Sequence, residues 1–148
     1  MLKFILLFLA CFLILSCHNN IRVIDGDSLM LNNKRIRLYG LDAPEYKQTC
    51  YNKYYKKYNC GKKAKSALQK LINSHSYCKI KSKDLYQRNI AICYNNKQDI
   101  NSLIVKEGWA VIYYSKKYQR QQKYAKKHKL GIWQGKFLQP FKYRKQQK

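Results

Sequence analysis

Apolar residues first recur along this chain with the two-residue period of half-buried strands. Ile21 to Ile24 and Ser28 to Leu31 are predicted strands, separated by Asp25-Gly26-Asp27. Asn32-Asn33 has turn chemistry, and Lys34 to Leu41 returns as a third strand with Ile36 and Leu38 on one face. Pro44 marks its exit, and residues 46 to 60 are polar and tyrosine-rich, as a loop is. The period then changes to that of a helix. Ala64, Ala67, Leu68, Leu71 and Ile72 predict a helix from about Lys62 to Asn73, with Lys63, Lys65 and Lys70 on its other side. Two β-like runs around Lys83-Asp84-Leu85-Tyr86 predict a hairpin. Asp99 or Asn101 can cap a second helix running through Glu107, with Gly108 just past its end. A third helix is expected from about Tyr118 to Lys129, stopped by Gly131. The order β-β-β-α-β-β-α-α favours adjacent antiparallel pairs, so the expected class is α+β, a small closed or partly open barrel with helices packed against it.

The first sixteen residues stand apart from this pattern. Lys3 is their one charge, and Phe4 to Leu15 is an apolar run too short to span a bilayer, which takes about 20 residues. Its length and charge order are those of a signal-peptide core. Ile14-Leu15-Ser16-Cys17 resembles the lipobox of bacterial lipoproteins, which makes Cys17 the expected lipidation site. The expected organisation is a signal peptide over 1–16, a lipidated tether over 17–20 and one domain over 21–148. The expected location is the bacterial cell envelope, with the membrane held through the N-terminal lipid; cleavage near Ser16 without lipidation would give a secreted protein instead.

Cysteine use points the same way. Besides Cys11 and Cys17 there are Cys50, Cys60, Cys78 and Cys93. A hairpin turning at Leu85-Tyr86 sets Cys78 opposite Cys93 and Ser82 opposite Asn89, which leaves Cys50 to close a short loop with Cys60. None of the four has the C-x2-C spacing of a zinc site, so two disulfides formed in an oxidising compartment are expected.

Net charge is +24, and the last 33 residues, Lys116 to Lys148, hold twelve Lys or Arg and no acid. That field attracts polyanions without saying which. The acids are more informative because there are seven in all, and Asp25, Asp27, Asp42 and Glu45 fall close together around one hairpin. Clustered carboxylates repel unless something positive sits among them, and a hard cation with oxygen ligands is the simplest resident. Asp25 is expected to serve as a turn residue beside Gly26. Arginine is rare, six against twenty-five lysines, and Arg37 and Arg88 offer the bidentate fork that suits phosphate. His18, His75 and His128 form no H-E-x-x-H pair and no metal cluster in sequence, which argues against other kinds of nuclease.

Val23-Ile24-Asp25-Gly26-Asp27-Ser28 and Arg37-Leu38-Tyr39-Gly40-Leu41-Asp42-Ala43-Pro44-Glu45 resemble the two N-terminal signatures of the staphylococcal thermonuclease family. Asp84-Leu85-Tyr86-Gln87-Arg88 resembles the third, and Gly108-Trp109-Ala110 and Leu130-Gly131-Ile132-Trp133 match later landmarks. The cysteine spacing is similar to that of an exported, disulfide-containing branch. The resemblance implies a five-stranded OB-fold β-barrel with three packed helices. It implies a Ca²⁺-dependent, sugar-nonspecific endonuclease that hydrolyses DNA and RNA to 3′-phosphate ends, preferably at single-stranded or accessible stretches. By the same resemblance, Asp27, Asp42 and the carbonyl of Ala43 bind Ca²⁺, Glu45 orients or deprotonates water, and Arg37 and Arg88 hold the phosphate. Tyr86, with Tyr113 and Tyr114, is a candidate platform for bases. Gln87 and Asn89 depart from the family, which has small residues there and usually glycine before the arginine. A second reading is a catalytically silent polyanion-binding surface lipoprotein. Such a protein is expected to lack at least one of Asp27, Arg37, Asp42, Glu45 and Arg88, and all five are present.

Overall fold

The computed structural model describes residues 19–147, so the expected signal segment and Cys17 lie outside the described residues. The N-terminal strands are β1 (Ile21–Val23), β2 (Ser28–Leu31), β3 (Lys34–Leu38) and β4 (Leu41–Asp42). Asn32 and Asn33 both take positive φ, 47° and 62°, the backbone that a tight hairpin between right-twisted strands needs. A short ribbon, β5 (Cys50–Tyr51) and β6 (Lys57–Tyr58), leads into α1 (Cys60–Leu71). The Asn59 side chain caps α1 by accepting from Lys62 N at 2.7 Å, so the helix starts two residues earlier than its apolar pattern suggests.

The chain continues through β7 (Tyr77–Lys83), β8 (Asn89–Asn95), β9 (Gln98–Asp99) and α2 (Ile100–Lys106). It ends with β10 (Val111–Ile112), α3 (Gln119–Lys127), a 3-10 turn (Gly131–Gln134) and α4 (Pro140–Gln146). The main sheet runs β1-β2-β3-β8-β7, antiparallel except for β3 against β8, and β9 adds to β8. Among the described residues β1 and β7 do not pair, so the sheet is mixed and open rather than closed by hydrogen bonds.

Both expected disulfides form, Cys50–Cys60 and Cys78–Cys93. Cys78 stands directly opposite Cys93, as the hairpin reading requires. The same reading misplaces Ser82, which pairs with Ile90 and not Asn89 because the register shifts between Ile80 and Ser82. An irregularity that adds one residue to β7 moves everything beyond it by one position. Asp99, not Asn101, caps α2, accepting from Ser102 N at 2.9 Å. Asn101 is buried instead. Its amide nitrogen donates to the carbonyls of Tyr39 and Ala91 at 3.1 Å, and its oxygen accepts from Cys93 N at 3.0 Å.

Among the described residues there are four α-helices where three were expected, and α4 is the addition. Leu29, Ile36 and Leu38 from the sheet, Leu68 from α1 and Ile100 and Ile104 from α2 make one buried core. At roughly 1.5–3 kcal/mol for each large apolar side chain, their burial is the main force holding α1 and α2 to the sheet. The protein is an α+β domain in which the Asp27 loop, just before β2, and the ends of β3 and β4 bring Asp27, Arg37 and Asp42 together.

Candidate active site

The Asp25-Gly26-Asp27 loop is set by close packing. A Cβ on Gly26 would lie 2.7 Å from the Cβ atoms of both Ala43 and Ala64, so only glycine lets the loop touch the β4 exit and α1 together. That contact brings Asp27 to Ala43, whose backbone nitrogen donates to Asp27 Oδ2 at 2.9 Å. Asp27 Oδ1 accepts from Ser28 Oγ at 2.8 Å and from Arg37 Nη1 at 3.0 Å. The other Arg37 nitrogen, Nη2, donates to Asp42 Oδ1 at 2.7 Å. Ser28 is directly opposite Arg37 across β2 and β3, which explains why this arginine bridges the two aspartates.

Glu45 follows on the segment after Pro44. Gln48, fully buried, fixes that turn: its side-chain oxygen accepts from Glu45 N at 3.2 Å and its amide donates to Leu138 O at 2.7 Å. The second bond ties the Glu45 turn to the segment entering α4. From α4, Arg144 Nη1 donates to Asp42 Oδ1 at 2.8 Å and to Glu45 Oε1 at 2.7 Å, while Nη2 donates to Asp42 Oδ2 at 3.0 Å.

Arg88 arrives from the opposite rim. Its Nε donates to Asp84 Oδ2 at 2.7 Å and its guanidinium lies 5.5 Å from the Tyr86 ring centroid. A cleft of about 880 Å³ is lined by Arg37, Glu45, Arg88 and Tyr86 together with Tyr113, Phe141 and Arg144. Asp25, Ser28, Arg35 and Lys145 complete its wall. Tyr114 turns away, with its hydroxyl accepting from Gly40 N at 3.2 Å and its ring edge-on to Tyr39.

Two carboxylates two residues apart are pushed in opposite directions. Burial and the neighbouring Asp27 charge raise the Asp25 carboxyl to about 7. Burial also works to raise Asp27, but Arg37, the Ala43 amide and the Ser28 hydroxyl outweigh it and hold Asp27 below the usual carboxylate range. One carboxyl thus holds a proton into the neutral range while its neighbour stays ionised.

The buried oxygens of Asp27 and Asp42, with the Ala43 carbonyl nearby in the chain, are the kind of donor a hard divalent cation takes. In kind they fit the expected Ca²⁺. Among the described residues no three His, Cys, Asp or Glu groups are gathered into a ready-made metal cluster, and guanidinium groups stand between the carboxylates.

Residues 35–135 match the family model described as staphylococcal nuclease homologue. The chain belongs to this staphylococcal nuclease family. It is 32% identical over 117 residues to a succinoglycan biosynthesis protein, ExoI, of Rhizobium meliloti, covering 75% of this chain. The match spans 61% of the length of that relative. It is also 32% identical over 139 residues to an uncharacterized endonuclease of Haemophilus influenzae, covering 86% of this chain and 72% of the relative. The nuclease-family match contains Arg37, Asp42, Glu45 and Arg88.

Sequence reasoning missed three features of the cleft. Asp25 is not merely a turn residue, because it lines the cleft with a strongly raised pKa. Arg35 lies two residues from Arg37, so strand alternation alone could have placed it on the same face. Arg144 was hidden in a uniformly basic tail, where the available signal was Pro140, a residue favoured at the first position of a helix.

Proposed function

We propose that this protein is a Ca²⁺-dependent endonuclease that hydrolyses phosphodiester bonds of DNA and RNA without sugar preference, leaving 3′-phosphate ends. The observation that carries the reading is one cleft lined by Arg37, Arg88 and Glu45, in a chain of the staphylococcal nuclease family. Two arginines facing one carboxylate suit a reaction in which negative charge grows on phosphorus oxygens while a water loses a proton. Arg37 and Arg88 bind the phosphate oxygens and offset the charge of the pentacoordinate transition state. Glu45 accepts the proton of the attacking water as its oxygen bonds to phosphorus. The P–O bond to the 5′-oxygen breaks, and that oxygen leaves with the electron pair and takes a proton from solvent. Asp27, Asp42 and the Ala43 carbonyl would hold the Ca²⁺, which when bound supplies Lewis-acid stabilisation of the phosphate.

The cleft is open enough for a strand whose backbone is accessible, and Tyr86 and Tyr113 supply faces on which bases can stack. Lysines elsewhere add sequence-independent affinity through phosphates. The strand path β1-β2-β3-β8-β7, with one parallel contact, supports an OB-type barrel of the partly open kind. The two disulfides support export, and the N-terminal sequence supports a signal peptide, a lipid on Cys17 and a place at the cell envelope. No helix among the described residues is long and apolar enough to cross a membrane.

One observation favours the binding-only reading: Arg144 sits on Glu45, the group proposed to take the proton. The deciding experiment is cleavage of single-stranded DNA by the disulfide-intact protein, with Ca²⁺ and with a chelator. Calcium-dependent cutting to 3′-phosphate ends is expected. Tight binding without cutting, by folded protein in Ca²⁺, would turn the reading to a silent polyanion-binding surface protein.

A further inference from the structure

Asp42 carries no exposed side-chain surface, yet its carboxylate receives three guanidinium bonds, one from Arg37 and two from Arg144. Asp27 has both oxygens engaged as well, by Ser28, Arg37 and the Ala43 amide. Of the two arginines, Arg37 is the inner one, with 12% of its side chain exposed, and Arg144 the outer one, with 35%. The solvent-facing side of the carboxylate pair is therefore covered by Arg144. The same group also holds Glu45 Oε1 at 2.7 Å.

We propose that Arg144 and the divalent cation compete for the same carboxylate oxygens, so that the C-terminal helix sets the cation affinity of the site. The inference rests on the calcium reading given above. A cation that takes an Asp42 oxygen must displace at least one Arg144 bond or accept a positive charge within contact distance. Either route costs affinity, and the cost disappears when the guanidinium does. The exchange is feasible because the cation takes over the charge of buried Asp42 as Arg144, about a third exposed, turns outward to water.

The helix does not depend on these ion pairs for its seat. Pro140 is buried, Phe141 stacks on Tyr113 with ring centroids 6.1 Å apart, and Gln48 grips Leu138 O. Displacing the guanidinium thus leaves α4 docked, with Arg144 still on the wall of the cleft. There it can turn from carboxylate to the phosphate of a bound strand, as a third arginine beside Arg37 and Arg88. Arg144 lies beyond residues 35–135, so this contact is an addition to the part of the chain that the family match covers.

The test is calorimetric titration of CaCl₂ into the purified, disulfide-bonded protein without nucleic acid. R144Q should bind Ca²⁺ about tenfold more tightly than the wild type. K142Q, which removes an exposed charge from the same helix, should stay within about twofold. Equal or weaker binding by folded R144Q would overturn the inference while leaving the calcium reading intact. Absence of Ca²⁺ binding in both proteins would overturn the calcium reading and the inference with it. A second measurement needs no loss-of-charge variant: guanidinium ¹⁵N NMR of the wild type, with R144K to assign the signal. Saturating Ca²⁺ should shift the Arg144 resonances, and unmoved resonances at saturation would overturn the inference.

Discussion

Asp84 holds Arg88 from two directions: its Oδ2 accepts from the side-chain Nε at 2.7 Å, and its Oδ1 from the backbone nitrogen at 3.0 Å. The contact uses Nε and not the Nη pair, so it aims the fork without consuming it. Slight burial pushes the Asp84 carboxyl up, but the bonds from Arg88 and from Tyr86 N outweigh it and hold the group below its ordinary range. A depressed carboxyl adds stability above its unfolded pKa of about 4, and that contribution fades as pH falls through the folded value. Asp84→Asn should lower kcat/KM by about tenfold to a hundredfold, since misaiming the proposed phosphate ligand Arg88 is costly even when the fold is intact. Steady-state cleavage and a thermal melt on the same sample check it; an unchanged kcat/KM would show that the clamp does not aim Arg88.

Gln87, just before Arg88, has φ +60°, a backbone that side chains other than glycine adopt at a cost of about 1–2 kcal/mol. Gln87→Gly removes that strain but gives the unfolded chain more freedom, worth about 0.4–1 kcal/mol in the other direction. Stability should therefore change by less than about 1 kcal/mol, while kcat rises as the turn relaxes. Urea unfolding and single-turnover cleavage separate the two effects, and a fall in kcat would mean the glutamine side chain itself contributes.

Glu45→Gln retains the carbonyl that can accept from Arg144 but cannot take a proton. Cleavage should fall by about a hundredfold to ten-thousandfold, with single-stranded DNA binding nearly unchanged. Fluorescence anisotropy beside a cleavage assay measures both, and retained cleavage would remove Glu45 from its role.

The Asp25 carboxyl is raised to about 7, so the folded state binds a proton that the unfolded chain has released above about pH 4. With a chelator present, this group makes stability fall as pH rises from about 4 to 7, after which the effect is constant. Asp25→Asn should therefore stabilise the protein above pH 7, with an upper bound of about 4 kcal/mol, and do little near pH 4. Urea unfolding in EDTA at both pH values checks the sign. Stabilisation confined to the acidic side would contradict it.

Replacing Cys78 and Cys93 by serine should cost about 3 kcal/mol, the chain-entropy value for closing a loop of that size. The unfolding free energy of the double variant, compared with the oxidised wild type, gives the number directly.

The main-sheet strands β1, β2, β3, β7 and β8 and the two disulfides were legible in sequence because their signals are local, while Arg37, Glu45 and Arg88 were picked out through the family resemblance. Cys78 meets Cys93 by simple hairpin register, and Arg37 bridges Asp27 and Asp42 because strand pairing puts it beside Ser28. Where the reading slipped, the cause was tertiary or a local irregularity. The shift after Ile80 carries no clear residue signature, so Ser82 was given the wrong partner. Asn101 looked like a cap because asparagine often is one, while its real work is to satisfy three buried backbone groups. Arg144 joins Asp42 across 102 positions, and nothing local distinguishes it from the other basic residues around it.

The side-by-side parallel contact of β3 and β8 also governs timing. Ile36 waits for Asn89, about fifty residues later, and a ribosome adding about 5–20 residues each second leaves β3 without that neighbour for several seconds. Arg88 joins Arg37 on the cleft only when that strand arrives, and Arg144 follows with α4. Until then Asp27, Asp42 and Arg37 form an incomplete half-site, held together by the β2–β3 pairing alone.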